Sequence, residues 1–548
     1  MKYHQIVIEY LNKGLRLIIL FIAWSTTVFL SREVTIIGLE NIPEKGPVIL
    51  VPNHSNQFAD VACISSTVKR HVYYLGASIL KKQVFMRFCS AICGVIPVMR
   101  PHDFATKKTG RIRIGSNGVV TGIDTKFLSE VQLKESVKVK GRKELMVTEV
   151  LSNTCLKVDT TSQSILPPVE KGDDFNEYYI IPIVDQRRCL EDAIKGIKEG
   201  QLICVFAEGG SHDQSDLMPL RPGAAITGLS AIVDYGIEDL KIIPVGLKYS
   251  HQNLFRARAT VEYKEPTKID PSLIEEYKMD RRSACTKLMN QIENEMRSVM
   301  HTAPSHQEKR DIALARKLIL PTPEESSFTR KEIVDFEQTL YTSYRNLNSE
   351  KCNVGQLDYD YFKDVVAEIH KYGRALKNAK LRDSQVYLAQ KSKISAYGFI
   401  FHLTRLVMVF SIILPGLISL IPFLVVLCYL VRRQCEIYVN AICSRTTKSA
   451  DSVLSNKVIY SFALYPIQTT LLCILLGNLF FTESMTWYCI PSSELLKMSI
   501  LFSFAYFLYC FLITQLWDYV MLDVCYVCVP LHQLLCRGKL NNLIKTRE

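Results

Sequence analysis

Short apolar runs and longer amphipathic stretches alternate through the front half of the chain. Val48–Val51 is a compact apolar run, as expected of a buried strand, and it opens directly onto polar residues. Cys189–Glu199 has the 3.6-residue period of an amphipathic helix, Gly200 ends it, and Leu202–Phe206 follows as a second strand; Lys241–Val245 is another. Strands alternating with helices predict an α/β unit with a mainly parallel sheet and its chemistry at the loop tips. From Gly110 to about Thr160 the rhythm changes to short alternations rich in Val, Thr, Lys and Gly, as in GVVTGIDTKF and ESVKVKG, which predicts a small antiparallel insertion. Between Thr329 and Leu388 the period is helical, and Thr329 with Glu332 forms a capping box at its start.

Four longer apolar segments complete the pattern. Leu17–Leu30 is short for a span and, lacking a small-residue cleavage site, is expected to be a retained anchor. Leu406–Val431 is uncharged but interrupted by Pro415-Gly416 and Pro422, whereas Val458–Phe481 and Met498–Trp517 are each uncharged and long enough to cross a bilayer. The stretch Arg432–Lys457 and the tail after Trp517 carry the cations, and Thr482–Lys497 carries only Lys497. The positive-inside tendency therefore places the two basic stretches in the cytosol, with 458–481 and 498–517 as a membrane hairpin. A cytosolic α/β region then requires 406–431 to be re-entrant, the Pro-Gly break letting it enter and leave by one face.

Composition agrees with that picture. Of 548 residues, 48% are hydrophobic, and the net charge of +12 is scattered without an arginine-rich block, so no nucleic-acid partner is expected. The 17 cysteines follow no framework spacing and many lie in apolar runs, a free-thiol pattern that fits a cytosol-facing protein. The expected division is an anchor at 1–32, an α/β domain at 33–106 and 176–320 split by a β-rich module at 107–175, a helical region at 321–395 and a membrane region at 396–548.

Candidate chemistry sits where strands end. His54 and Asp60, in VPNHSNQFAD, are separated by five residues, a spacing that would not put them on one face of a continuous helix. GVIPVMRP ends an apolar run at Arg100, VFAEGGSHD ends a strand at Glu208, Gly209 and Gly210, and IIPVGLKY carries Pro244 on a strand. Each has an ordinary structural reading: a solvated arginine, a glycine turn, a proline on a sheet edge. Their order along one α/β region is the specific signal.

That ordered set resembles the glycerolipid acyltransferase superfamily, with Asn53-His54…Asp60, Gly94…Arg100, Phe206-Ala207-Glu208-Gly209 and Ile243-Pro244-Val245 in the places of its blocks. HSNQFAD, AEGGSHD…LMPLRPGAA, NLFRARATVEY, LKNAKLRDSQV and the insertion with VVTGIDTKFLSE are similar to fungal-type glycerol-3-phosphate/dihydroxyacetone-phosphate acyltransferases of the endoplasmic reticulum. The superfamily usually has four residues between histidine and aspartate; the fungal type has five, as here. Ala207 stands where proline is usual, which loses a fixed φ and no reacting group.

The resemblance implies transfer of an acyl chain from acyl-CoA to the sn-1 hydroxyl of glycerol 3-phosphate, with dihydroxyacetone phosphate as a further acceptor. His54 would be the general base and Asp60 its orienting partner. Arg100, Glu208 and Gly209 would belong to the acceptor site with Asn53 beside the base, and Pro244 would shape the acyl-donor side. Gly210 and Arg221 are further candidates for the phosphate, as a backbone N–H donor and a guanidinium fork. Acyl-CoA is a co-substrate and no cofactor is expected; no metal is expected either, since the His/Asp/Glu set lacks ligand spacing and the reaction needs no Lewis acid. Membrane lipids are the remaining expected partner. The alternatives are acylation of lysophosphatidate, thioester hydrolysis, and a lipid-binding scaffold without catalysis.

Overall fold

The computed structural model describes residues 20–21, 23–28, 31–78, 90, 94–115, 118–139, 144–159, 175–251, 256–320, 328–347, 356–391, 396–441, 450–480, 492–535 and 547. Strands β1 (Ser31–Ile37), β2 (Val48–Pro52), β3 (Val72–Ala77) and β4 (Val95–Val98) open the chain. A second group follows: β5 (Thr106–Lys107), β6 (Arg111–Ile114), β7 (Val119–Ile123), β8 (Ser136–Val139), β9 (Leu145–Ser152), β10 (Cys155–Val158) and β11 (Tyr178–Ile181). Then β12 (Leu202–Cys204), β13 (Lys241–Tyr249) and β14 (Ala257–Tyr263) return to the first sheet, whose order is β1-β14-β13-β2-β12-β3-β4. Its contacts are parallel except for the antiparallel β13–β14 pair.

β2 lies at the centre of that sheet, fully buried along its length. Successive side chains point to opposite faces, so Ile49 and Val51 pack with Ile203, Ala225, Leu229 and Leu288, while Val48 and Leu50 pack with Leu202, Cys63, Ile64 and Tyr263. Helix α1 (Phe58–Thr67) covers the second face. Helices α2 (Arg187–Lys198), α3 (Gly223–Val233), α4 (Pro271–Met279) and α5 (Arg281–Ser298) cover the first. A strand buried on both faces needs the continuous apolar run that Val48–Val51 supplies.

The second sheet is antiparallel throughout, in the order β5-β11-β8-β9-β10-β7-β6. It has its own core, including Ile112, Val120, Phe127, Val147, Leu156 and Tyr178. The sheet runs to Ile181, beyond the expected end at 175. Tyr178 pairs with Val139 and stacks edge-on against Phe127 at 5.8 Å, so this last strand is drawn into the module by packing that its short sequence does not announce.

Four helices follow: α6 (His306–Ile319), α7 (Arg330–Leu347), α8 (Gln356–Ala379) and α9 (Asp383–Lys391). The Thr329 N–H and hydroxyl both donate to the Glu332 carboxylate, at 2.6 and 2.8 Å, which starts α7 where its cap predicts. Arg330 then grips Glu33 on β1 through two guanidinium nitrogens, tying the helical region to the first sheet.

The last three helices are α10 (Ala396–Ala441), α11 (Ala450–Phe480) and α12 (Ser492–Leu535). The expected re-entrant turn at 406–431 is absent, because α10 runs unbroken through Pro415, Gly416 and Pro422. Tyr509 of α12 explains how: its hydroxyl donates to the Ile412 carbonyl at 2.7 Å and accepts the Gly416 N–H at 3.2 Å, satisfying backbone groups at the proline. A side chain at Gly416 would lie 2.3 Å from Ile513, so this glycine permits close helix approach and does not end the helix. Tyr397–Glu436 and Ile500–Met521 are long and apolar enough to cross a membrane, judged by length and composition. Residues 17–19, 22, 29–30 and 481 and much of the expected hairpin loop lie outside the described residues.

Candidate active site

The parallel strands deliver their C-terminal ends to one edge of the sheet, and the candidate residues collect there. β2 stops at Pro52, and Asn53 to Gln57 form the turn before α1. Gln57 has φ 43° and ψ −115°, a conformation costly for a residue with a side chain, and the chain reverses there. His54 therefore lies outside regular helix, and Asp60 lies in the first turn of α1. The reversal closes the five-residue gap, leaving His54 Nδ1 2.9 Å from Asp60 Oδ2.

Asp60 is fully buried and well supplied with donors. The Asn56 N–H reaches Oδ2 at 2.7 Å, and the Tyr249 hydroxyl donates to Oδ1 at 2.7 Å. A helix N-terminus also favours a carboxylate in its first turn. Burial pushes the Tyr249 phenol well above its usual range, and the adjacent Asp60 charge adds to this, so the tyrosine stays a protonated donor. With Nδ1–H given to Asp60, the imidazole keeps its lone pair on Nε2. The Phe206 ring stacks on His54 at 3.9 Å, and the imidazole retains 16% exposure.

Glu208 takes a different place from the one expected. Its side chain is inaccessible to solvent, and its oxygens are taken by the protein. Oε1 accepts the His54 backbone N–H at 2.7 Å; Oε2 accepts the Met218 N–H at 3.2 Å and is bonded to His212 Nε2. His212 Nδ1 accepts the Gln214 N–H at 3.1 Å, which leaves the ring proton on Nε2 to donate to Glu208. The His212 N–H closes the clamp on the His54 carbonyl at 3.1 Å. Glu208 thus holds the His54 backbone from a position closed to solvent.

Asn53 and Pro244 are likewise framework. The Asn53 amide exchanges two hydrogen bonds with the Leu247 backbone, at 2.7 and 3.0 Å, a buried bracket between β2 and β13. Pro244 is buried in the sheet interior opposite Val51, where its carbonyl accepts the Lys264 N–H at 3.0 Å; it does not edge the sheet.

Arg100, Gly209 and Arg221 do come together. Arg100 pairs through Nε and Nη2 with Asp103, both at 2.9 Å, and reaches the Gly209 carbonyl with Nη1 at 3.3 Å. Gly209 has φ +72°, and a Cβ there would lie 2.4 Å from Arg221 Nε, so the arginine packs flat on the glycine. Arg221 is exposed and has no acidic partner among the described residues. Gly210, half-buried, follows in the same turn. Two guanidinium groups thus stand beside a glycine turn, a donor set chemically suited to an anion, with Arg100 shared with Asp103.

The nearby nucleophiles are not activated. Burial pushes the Cys63 thiol up to about 12 and the Cys204 thiol well above its usual range. The Ser55 hydroxyl is buried, with no hydrogen-bond partner among the described residues. Sequence reasoning missed Tyr249, His212, Phe206 and Asp103. His212 carried a signal, standing four residues after Glu208 in EGGSHD; Tyr249 carried none, because nothing local links it to a motif 189 positions away.

Two stretches of the chain match families of known proteins. Residues 33–123 match the family described as Acyltransferase, and residues 312–548 match the glycerol-3-phosphate acyltransferase 2 C-terminal domain. The chain is 28% identical to an uncharacterized acyltransferase of Schizosaccharomyces pombe over 410 residues, covering 72% of this chain and 58% of that protein. It is 27% identical to glycerol-3-phosphate O-acyltransferase 1 of Saccharomyces cerevisiae over 453 residues (80% and 58%). With glycerol-3-phosphate O-acyltransferase 2 of the same yeast it shares 26% over 434 residues (73% and 56%). The chain spans a little over half the length of these relatives. Among solved structures, the 1-acyl-sn-glycerophosphate acyltransferase PlsC of Thermotoga maritima overlaps 54% of this chain and 84% of that one, with a TM-score of 0.28 and 14% identity. The front of the chain is thus similar to an acyltransferase domain, and residues 312–548 are similar to the glycerol-3-phosphate acyltransferase 2 C-terminal domain.

Proposed function

We propose that this protein, with those two likenesses in one chain, transfers an acyl group from acyl-CoA to the sn-1 hydroxyl of glycerol 3-phosphate, with dihydroxyacetone phosphate as a second acceptor. What carries the reading is the His54–Asp60 pair at 2.9 Å on the strand ends that also bring Arg100 and Arg221 to Gly209. The yeast relatives named as glycerol-3-phosphate O-acyltransferases support the same acceptor.

In this reaction His54 Nε2 takes the hydroxyl proton as the oxygen attacks the thioester carbonyl carbon. The tetrahedral intermediate collapses, the C–S bond breaks, and the departing CoA thiolate recovers the proton from the imidazolium. Asp60, held by the Asn56 N–H and Tyr249, keeps Nδ1 protonated and stabilises the imidazolium while it exists. Arg221 meets the acceptor phosphate with an open fork, and Arg100 reaches it by sharing its own with Asp103. CoA thiolate is a good leaving group, so direct attack needs no acyl-enzyme.

The test is an acceptor panel with labelled palmitoyl-CoA and oleoyl-CoA. Transfer to glycerol 3-phosphate supports the reading, whereas transfer to lysophosphatidate alone, or release of free fatty acid indifferent to added acceptor, overturns it. Losing a hydrogen bond to a charged group costs about 1.5–3 kcal/mol. Arg221→Ala is accordingly expected to raise the KM for glycerol 3-phosphate by roughly 10–100-fold, with the KM for acyl-CoA little changed.

We place the enzyme in the endoplasmic reticulum membrane with its catalytic sheet on the cytosolic side. Ser455, in the basic stretch 432–457, bonds Asn56 in the catalytic turn, which supports putting that stretch and the sheet on one face. Under this reading acyl-CoA and the lipid product exchange directly with the bilayer. Protease added outside sealed microsomes is expected to cut within 33–395; full protection of that region would reverse the assignment.

A further inference from the structure

Helix α11 buries one hydroxyl against the catalytic turn. Ser455 has no exposure, and its Oγ donates to the Asn56 carbonyl at 2.7 Å and accepts the Ala59 N–H at 3.3 Å. The same carbonyl and N–H meet each other at 2.9 Å, so the hydroxyl lies across the loop that joins His54 to Asp60. From there a short chain of contacts leads to the base. The Asn56 N–H bonds Asp60 Oδ2, and the same oxygen accepts from His54 Nδ1. The loop needs such a brace. It contains the costly conformation of Gln57, and Ser455 holds the carbonyl of the Asn56–Gln57 peptide, whose orientation sets the Gln57 φ.

We propose that Ser455 is a positioning residue for acyl transfer: the C-terminal domain, through this hydroxyl, holds the His54–Asp60 turn of the acyltransferase domain in its closed form. The inference rests on the acyl-transfer reading above. Its consequence is that the acyltransferase domain does not complete its catalytic geometry alone. Part of that geometry arrives from a helix 399 positions along the chain.

The test uses the full-length membrane enzyme and the pair Ser455→Thr and Ser455→Val, which share a shape and differ in the hydroxyl. Misplacement of a catalytic group by a fraction of an ångström costs on the order of tenfold or more in rate. Ser455→Val and Ser455→Ala are therefore expected to lower kcat about tenfold, with KM for both substrates within about twofold, while Ser455→Thr retains wild-type kcat. Ser461→Ala, on an exposed position of the same helix, serves as the control and leaves kcat unchanged. A hydroxyl that only packs the helix would change the yield of folded protein in Thr and Val alike and leave kcat per folded enzyme equal. Equal kcat in Thr and Val, or a loss confined to KM, overturns the proposal. Wild-type transfer to glycerol 3-phosphate, read in the same assay, separates that result from failure of the acyl-transfer reading itself.

Discussion

His54→Ala is expected to lower kcat by about 10²–10⁴-fold, the range for loss of a positioned general base, with little change in KM for either substrate. The imidazole makes its bonds to Asp60 and to the alcohol proton, and the second exists only as the reaction proceeds, so its loss falls on kcat. Asp60→Asn is expected to act as strongly. An amide cannot accept from Nδ1–H, the Asn56 N–H and the Tyr249 hydroxyl without turning its own N–H₂ toward one of these donors. The imidazolium then loses its counter-charge, and the ring loses the partner that fixes its tautomer. Initial rates with labelled acyl-CoA, normalised to folded protein, measure both. If both variants keep wild-type rates, the assignment of His54 and Asp60 as the catalytic pair fails.

Glu208→Ala carries the second large effect, and it reaches both activity and stability. Removing the carboxylate leaves three buried donors without acceptors: the His54 N–H, the Met218 N–H and His212 Nε2–H. At about 1–3 kcal/mol for each unsatisfied buried group, a loss of several kcal/mol is expected, comparable with the margin that keeps a domain folded. The variant is therefore expected to unfold at a much lower temperature. Glu208→Gln keeps the shape and one acceptor oxygen, and is expected to remain folded with kcat reduced about 10²-fold as the His54 backbone shifts. The comparison decides its role: a residue that binds the acceptor raises KM for glycerol 3-phosphate when changed, whereas one that holds the base lowers kcat. The three bonds of Glu208 predict the second.

Much of the architecture was legible because burial imposes a period. Val48–Val51 is apolar at every position because β2 is covered on both faces, and the alternation in 110–160 marks a sheet covered on one. The Thr329–Glu332 cap was legible because its partners are three residues apart. The apolar C-terminal helices were legible in composition and less so in shape. Pro415-Gly416 indicates a break to any reading of the local chain, yet α10 continues because a tyrosine on another helix satisfies the backbone that proline disturbs. The end of the β module was missed for a similar reason, since Tyr178–Ile181 becomes part of that sheet through pairing with β8 and β5.

The site divides in the same way. The blocks around His54, Arg100, Glu208 and Pro244 were recognisable by type and order, and the turn at Gln57 converts an awkward spacing into a 2.9 Å contact. Their individual roles were not recognisable. Glu208, Asn53 and Pro244 bond the framework around the site, while Tyr249, at the end of the Pro244 strand, and Ser455, outside every block, bond the His54–Asp60 turn.

By itself, then, the sequence determined which residue types stand at the strand ends, which segments must leave water, and where the local caps form. These follow from apolar period and from contacts within a turn or two, which the chain encodes in adjacent positions. Only the tertiary structure decided which partner each polar atom takes: Asp60 receiving Tyr249, Glu208 turned inward to the His54 backbone, Arg221 left open on Gly209, Ser455 laid across the catalytic turn. A hydrogen bond is made or lost over a few tenths of an ångström. That precision is set by the packing of elements hundreds of residues apart, and no short stretch of sequence contains it.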